Sequence, residues 1–148
     1  MKAFRFRLDQ AKRWRATQVD LEKSRVAIAA QRLAALQSDA EASRSELRGS
    51  APHLTTGAEL QSLAVWRDRM RRRILDLEKQ AKESQQALAE QMKLLVEANR
   101  KHLLLENLEQ TEQARWQSAF TRELEAFASE AFLGRLQSKS GRARSSGG

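Results

Sequence analysis

LQSLAVWRDRMRRRILDLEKQAKESQQALAEQMKLLVEANRKHLLL, residues 60–105, decides the fold. Its apolar residues Leu60, Leu63, Met70, Ile74, Leu77, Ala81, Leu88, Leu95, Ala98 and Leu105 return in steps of three and four. That 3.5-residue period is the mark of a coiled-coil seam, whereas a globular helix carries a broader apolar face. Arg67, Ser84, Gln91 and His102 occupy the remaining seam positions, where they lower stability and help to fix alignment. No proline falls between Thr55 and Leu136, and the one glycine beyond the first turn is Gly134. The stretch therefore reads as a single helix, roughly 120 Å long at about 1.5 Å per residue. Such a helix needs a partner to lie against.

Working outward, the partner is found upstream. Residues 4–48 form a first helix, in which Leu8, Val19, Val26, Ala29, Leu33, Leu36, Ala40 and Leu47 share one heptad register. Lys12, Arg15, Glu22 and Ser43 fill its weak positions. A second set, Trp14, Leu21, Ile28, Ala35 and Ala42, also returns every seven residues, but at positions outside a two-stranded seam. It is a slightly wide core face or a set of harmless exposed apolar residues, or else a docking surface for a partner. Gly49 suits the left-handed position after a helix, Pro52 follows, and Thr56-Gly57-Ala58-Glu59 is a capping box. Residues 49–55 are thus a turn, and so short a connection returns the second helix, 56–136, antiparallel to the first. The fold class is all-α: a long antiparallel two-helix coiled-coil hairpin with unequal arms over 1–136, then a disordered basic Ser/Gly tail over 137–148. The first helix covers roughly half of the second, so residues beyond about 100 are expected to project. After Leu105 the steps lengthen through Leu108, Glu112, Trp116, Phe120, Leu124, Phe127 and Ala131, a stutter that unwinds the supercoil.

Composition narrows the function. Of 148 residues, 31% are charged and 5% aromatic, there is no cysteine, and the formal net charge is +8. No apolar run is long enough to span a bilayer, so a soluble protein without membrane insertion is expected. Residues 1–25 carry eight basic side chains against three acidic ones, while residues 105–133 carry six glutamates against Arg115 and Arg122. A basic surface attracts nucleic acid, anionic lipid or an acidic protein, and charge alone does not choose. His53 and His102 have no cysteine or clustered carboxylate beside them to hold a metal, and no nucleophile lies at triad spacing. No glycine-rich phosphate loop occurs. The expectation is a protein that is not an enzyme and uses no cofactor or metal. Arg67-Asp68-Arg69-Met70-Arg71-Arg72-Arg73 is the densest basic run, read either as a solvated helix turn or as an anionic docking patch.

Phe4-Arg5-Phe6-Arg7-Leu8, followed by Trp14-Arg15, resembles the start of the flagellar FliJ family. Glu97-Ala98-Asn99-Arg100-Lys101, Leu105-Glu106-Asn107-Leu108-Glu109, Trp116, Glu123 and Glu130-Ala131 are similar to that family's C-terminal pattern. Near Phe127-Ala128-Ser129 this chain keeps only Glu130 of the family's acidic residues. The resemblance implies a non-enzymatic part of the flagellar type III export apparatus. It would be a stalk, a monomer when free, that enters the hexameric export ATPase, promotes its assembly and reaches the membrane export gate and export chaperones. Its place would be cytoplasmic, peripheral at the inner membrane. On that reading Arg5, Arg7, Lys12, Arg13, Arg15, Trp116, Phe120 and Phe127 contact the ATPase. Trp14, Leu21, Ile28, Arg69, Arg72 and Arg73 serve the gate or a chaperone. Two rivals stand beside it: a basic nucleic-acid-associated coiled coil, and a structural coiled coil whose projecting helix pairs with its own copy.

Overall fold

A computed structural model describes residues 2–50 and 56–145. Two helices account for nearly all of them: α1, Asp9–Gly49, and α2, Gly57–Ser145. No strand occurs among the described residues, and none of their helices is long and apolar enough to cross a membrane. Most of the expected turn, 51–55 with Pro52 and His53, lies outside the described residues, as do 146–148 of the expected tail.

The α2 start follows its capping box. Thr56 Oγ1 accepts the backbone N–H of Glu59 at 3.2 Å, and the Thr56 carbonyl accepts that of Leu60 at 3.2 Å. One of the orphan donors of the first turn is thereby satisfied. The other three helix ends depart from expectation. α1 opens at Asp9 rather than at residue 4, with Asp9 favourably placed in the first turn and paired to Arg13 at 2.9 Å. At the far end of α1, Gly49 is not left-handed: no described glycine has a positive φ. Ser50 closes the helix instead, its hydroxyl donating to the Leu47 carbonyl at 2.7 Å. Finally, α2 does not stop at Leu136 but runs on through the expected tail to Ser145. Gln137, Lys139, Arg142, Ala143 and Arg144 are ordinary helix formers. Gly134 and Gly141 each cost only about 1 kcal/mol, and arginines in the last turn complement the helix dipole.

Interhelical contacts divide the chain into two units: Trp14–His102, and Met1–Arg13 with Leu103–Gly148. In the first, α1 descends from Ser50 through Arg44 to Glu22 while α2 climbs from Arg67 through Glu78 to Gln91, an antiparallel pairing. Its seam is the heptad line read from the sequence. Val19, Ala40 and Ile74 are buried, as are the polar Glu22, Ser43 and Ser84. Glu22 is satisfied by Arg25 at 2.9 Å and by the Gln91 amide at 3.2 Å, so a buried carboxylate keeps two donors. Leu60 alone drops out of the seam, half exposed, because α1 already ends level with Arg67.

Arg67 clasps that end. Its Nη2 donates to the Ser50 carbonyl at 2.6 Å and its Nε to Ser50 Oγ at 3.3 Å, placing a cation on the negative end of the α1 dipole. Arg67→Met keeps the stem and removes these donors. A loss of about 1–2 kcal/mol is expected, the usual worth of charge-assisted bonds discounted for partial exposure. Thermal denaturation followed by circular dichroism checks it, with Arg69→Met, which makes no such contact, as the neutral reference.

Candidate protein-contact site

The other unit gathers all but one of the residues expected to meet the ATPase: Arg5, Arg7, Lys12, Arg13, Trp116, Phe120 and Phe127. The odd one out is Arg15, which belongs to the Trp14–His102 unit, half-buried at its seam position with its guanidinium 4.7 Å from the centre of the Trp14 ring.

Residues 2–8 precede α1 as a non-helical leader. Phe4-Arg5-Phe6-Arg7 alternates apolar and basic, which in a non-helical segment sends alternate side chains to opposite sides. Phe6 is buried and Phe4 half-buried, while Arg5 and Arg7 are exposed. The apolar side rests on α2. Phe4 lies tilted against Trp116 with ring centroids 6.1 Å apart, and Trp116 stacks on Phe120 at 5.3 Å and 6°. The Trp116 indole N–H donates to the Lys2 carbonyl at 3.2 Å. Below this cluster Lys12 is ion-paired with Glu109, and hydrogen bonding to that carboxylate raises the Lys12 pKa.

Two expectations change here. Projection was expected from about residue 100, with Trp116 and Phe120 bare. Instead, coverage continues to Phe120, because the leader spans up to about 3.3 Å per residue against 1.5 Å in a helix and so reaches further along α2. The stutter also shifts. The shielded positions are Leu105, Glu106, Glu109, Glu112, Trp116 and Phe120; along the seam Glu109 takes the place expected of Leu108, and the two successive steps of four begin at Glu112. Lys12 needs a carboxylate opposite it, and Glu109 supplies one.

Beyond Phe120 every described residue is exposed, including Leu124, Phe127, Phe132, Leu133 and Leu136. Phe127 is 72% exposed. Leu124, Phe127 and Ala131 continue the stripe that Phe120 begins, so an apolar face runs on where its cover ends. The site thus consists of two exposed arginines, a half-covered aromatic stack and a bare apolar helix face, all in one unit. Phe4, Phe6 and the Lys2 carbonyl are its parts that heptad reasoning passed over, although the period-two alternation marks them.

The residues expected at a gate or chaperone contact lie in the Trp14–His102 unit. Trp14, Leu21 and Ile28 are exposed. Arg69 and Arg73 are exposed, and Arg72 is paired with Asp68 at 2.8 Å. Among the described residues no group of three or more acidic or histidine side chains is placed to hold a metal.

A scan of protein-family models, of curated proteins and of solved structures finds no match to this chain.

Proposed function

We propose that this protein is a non-enzymatic coiled-coil stalk of the FliJ type, which binds a hexameric export ATPase, favours ring assembly and links the ring to the membrane export gate and its chaperones. The observation that carries the reading is the gathering of Arg5, Arg7, Trp116, Phe120 and Phe127 in one unit, where the leader rests on α2. Exposed cations and a bare apolar face suit entry into a ring lined by acidic and apolar side chains, where aromatic residues and arginine supply most binding energy. Such a contact influences ATP turnover only by binding one ring state more tightly than another.

The test is steady-state activity of the cognate export ATPase with and without the protein. Stimulation is expected, together with a shift of the mixture to a ring-sized complex in gel filtration. R5E/R7E is the informative variant, because both arginines are exposed and neither holds an ion pair among the described residues. Stimulation should fall by about tenfold or more, as reversal of rim charges slows and weakens association, with the helical signal unchanged. Normal stimulation by R5E/R7E would remove the leader from the contact. No stimulation by the unaltered protein would instead favour the nucleic-acid rival, for which steeply salt-dependent binding to duplex DNA is the signature.

A further inference from the structure

The seven-residue line Trp14, Leu21, Ile28 is apolar, exposed and unexplained by the seam. Next to it, between α1 and α2, lies a groove of about 450 Å³ lined by Arg25, Ile28, Ala29 and Arg32 on one side and by Gln80, Glu83, Ser84, Ala87 and Gln91 on the other. The groove is hollow because its floor residues are small: Ala29, Ser84 and Ala87. The two rims carry opposite charge. On α1, Arg25 and Arg32 are one heptad apart; on α2, Glu83 and Glu90 are one heptad apart and exposed. Because the helices are antiparallel, Arg32 is level with Glu83 and Arg25 with Glu90.

A two-fold axis parallel to the helices lays α1 of one copy directly on α2 of another and preserves these levels. Arg32 then meets Glu83, and Arg25 meets Glu90, from a second copy, twice over by symmetry. Leu21 falls opposite Leu94, which is also exposed, and Ile28 enters the hollow over Ala87. The basic rim covers the acidic rim and the apolar line is buried, giving a four-helix arrangement with charged flanks that set the partner and its orientation.

We propose that the groove between α1 and α2 is the self-association face of this protein, and that a second copy of the chain occupies it. The free protein is then a dimer, in place of the monomer expected from the resemblance. The inference does not rest on the stalk reading. It uses only the Trp14–His102 unit. Self-pairing also covers Trp14, Leu21 and Ile28, so it competes with any gate or chaperone that uses them.

Sedimentation velocity of the full chain over a concentration series reads the outcome: a species of twice 16.8 kDa is expected. R32E makes both rims acidic at its level and E83R makes both basic, so each variant alone should dissociate at least about tenfold more readily through like-charge repulsion, and Arg25 is left in place because it holds Glu22. Mixed in equal amounts they should form a heterodimer, since each rim again faces its opposite. Ile28→Ser, at a side chain 66% exposed, weakens the dimer without touching the seam, should a charge variant lose helicity. A monomer at every concentration overturns the proposal. So does dimerisation of all three variants at unaltered strength, which would move the contact to the bare face of residues 121–136. A mixture that stays monomeric overturns the two-fold arrangement.

Discussion

Trp116→Ala should release the leader from α2 and speed tryptic cleavage after Arg5 and Arg7 by about thirtyfold. The indole is held on two faces, by Phe4 at 6.1 Å and by Phe120 at 5.3 Å, and its N–H closes on the Lys2 carbonyl. Buried Trp→Ala changes cost about 3–5 kcal/mol, and a half-buried ring sits below that range, at about 2 kcal/mol. Since 1.4 kcal/mol is tenfold, about 2 kcal/mol multiplies the open population about thirtyfold, and cleavage follows that population when opening is fast. Trp116→Phe keeps the stack and loses only the indole N–H, so it should rank between the two. Cleavage of Trp116→Ala at the unaltered rate would mean that Phe6, not the aromatic stack, anchors the leader.

The second large effect runs the other way. E22L/Q91L is expected to raise stability by about 1–4 kcal/mol, the range seen when buried ionic groups are replaced by well-packed apolar ones. Glu22 is buried in the seam with Gln91 and Arg25 as its donors, so its desolvation is only partly offset. Glu22→Leu alone leaves the Gln91 amide facing leucine and should gain less. The thermal midpoint followed by circular dichroism decides it, and a lower midpoint for the double variant would show the Glu22 network to be net stabilising. The accompanying cost is in alignment: a polar pair at one level penalises helices that slip by a heptad, whereas an all-leucine level accepts them.

The heptad lines were legible because a two-helix seam imposes a single period on both chains. Each position read into the seam upstream of the turn, from Leu8 in the leader through Val19 and Glu22 to Leu47, is buried or half-buried, and the Trp14–Leu21–Ile28 line is exposed. What escaped obeys other rules. The leader alternates with period two, and a search for steps of three and four folds it into α1. Arg67 looked like one member of a basic run, since the partner it caps, the carbonyl of Ser50, carries no sequence signal. Residues 137–145 resemble a linker by composition, yet contain no proline to end a helix already under way. At Leu108 the apolar residue promised a seam position, and an ion pair one residue on, Lys12 with Glu109, took it.

The contact between Lys2 and Trp116 has a consequence for synthesis. The leader is synthesised before its docking place, which lies 114 residues behind it. At about 5–20 residues per second, about 6–23 seconds pass before Trp116 is made, and further time before it clears the exit tunnel. Throughout that interval Phe4 and Phe6, each flanked by arginine, are carried on the nascent chain without Trp116 to cover them. A slowed ribosome lengthens the exposure, and a faster one shortens it, so the aggregation risk of this protein should depend on translation speed rather than on the stability of the finished fold.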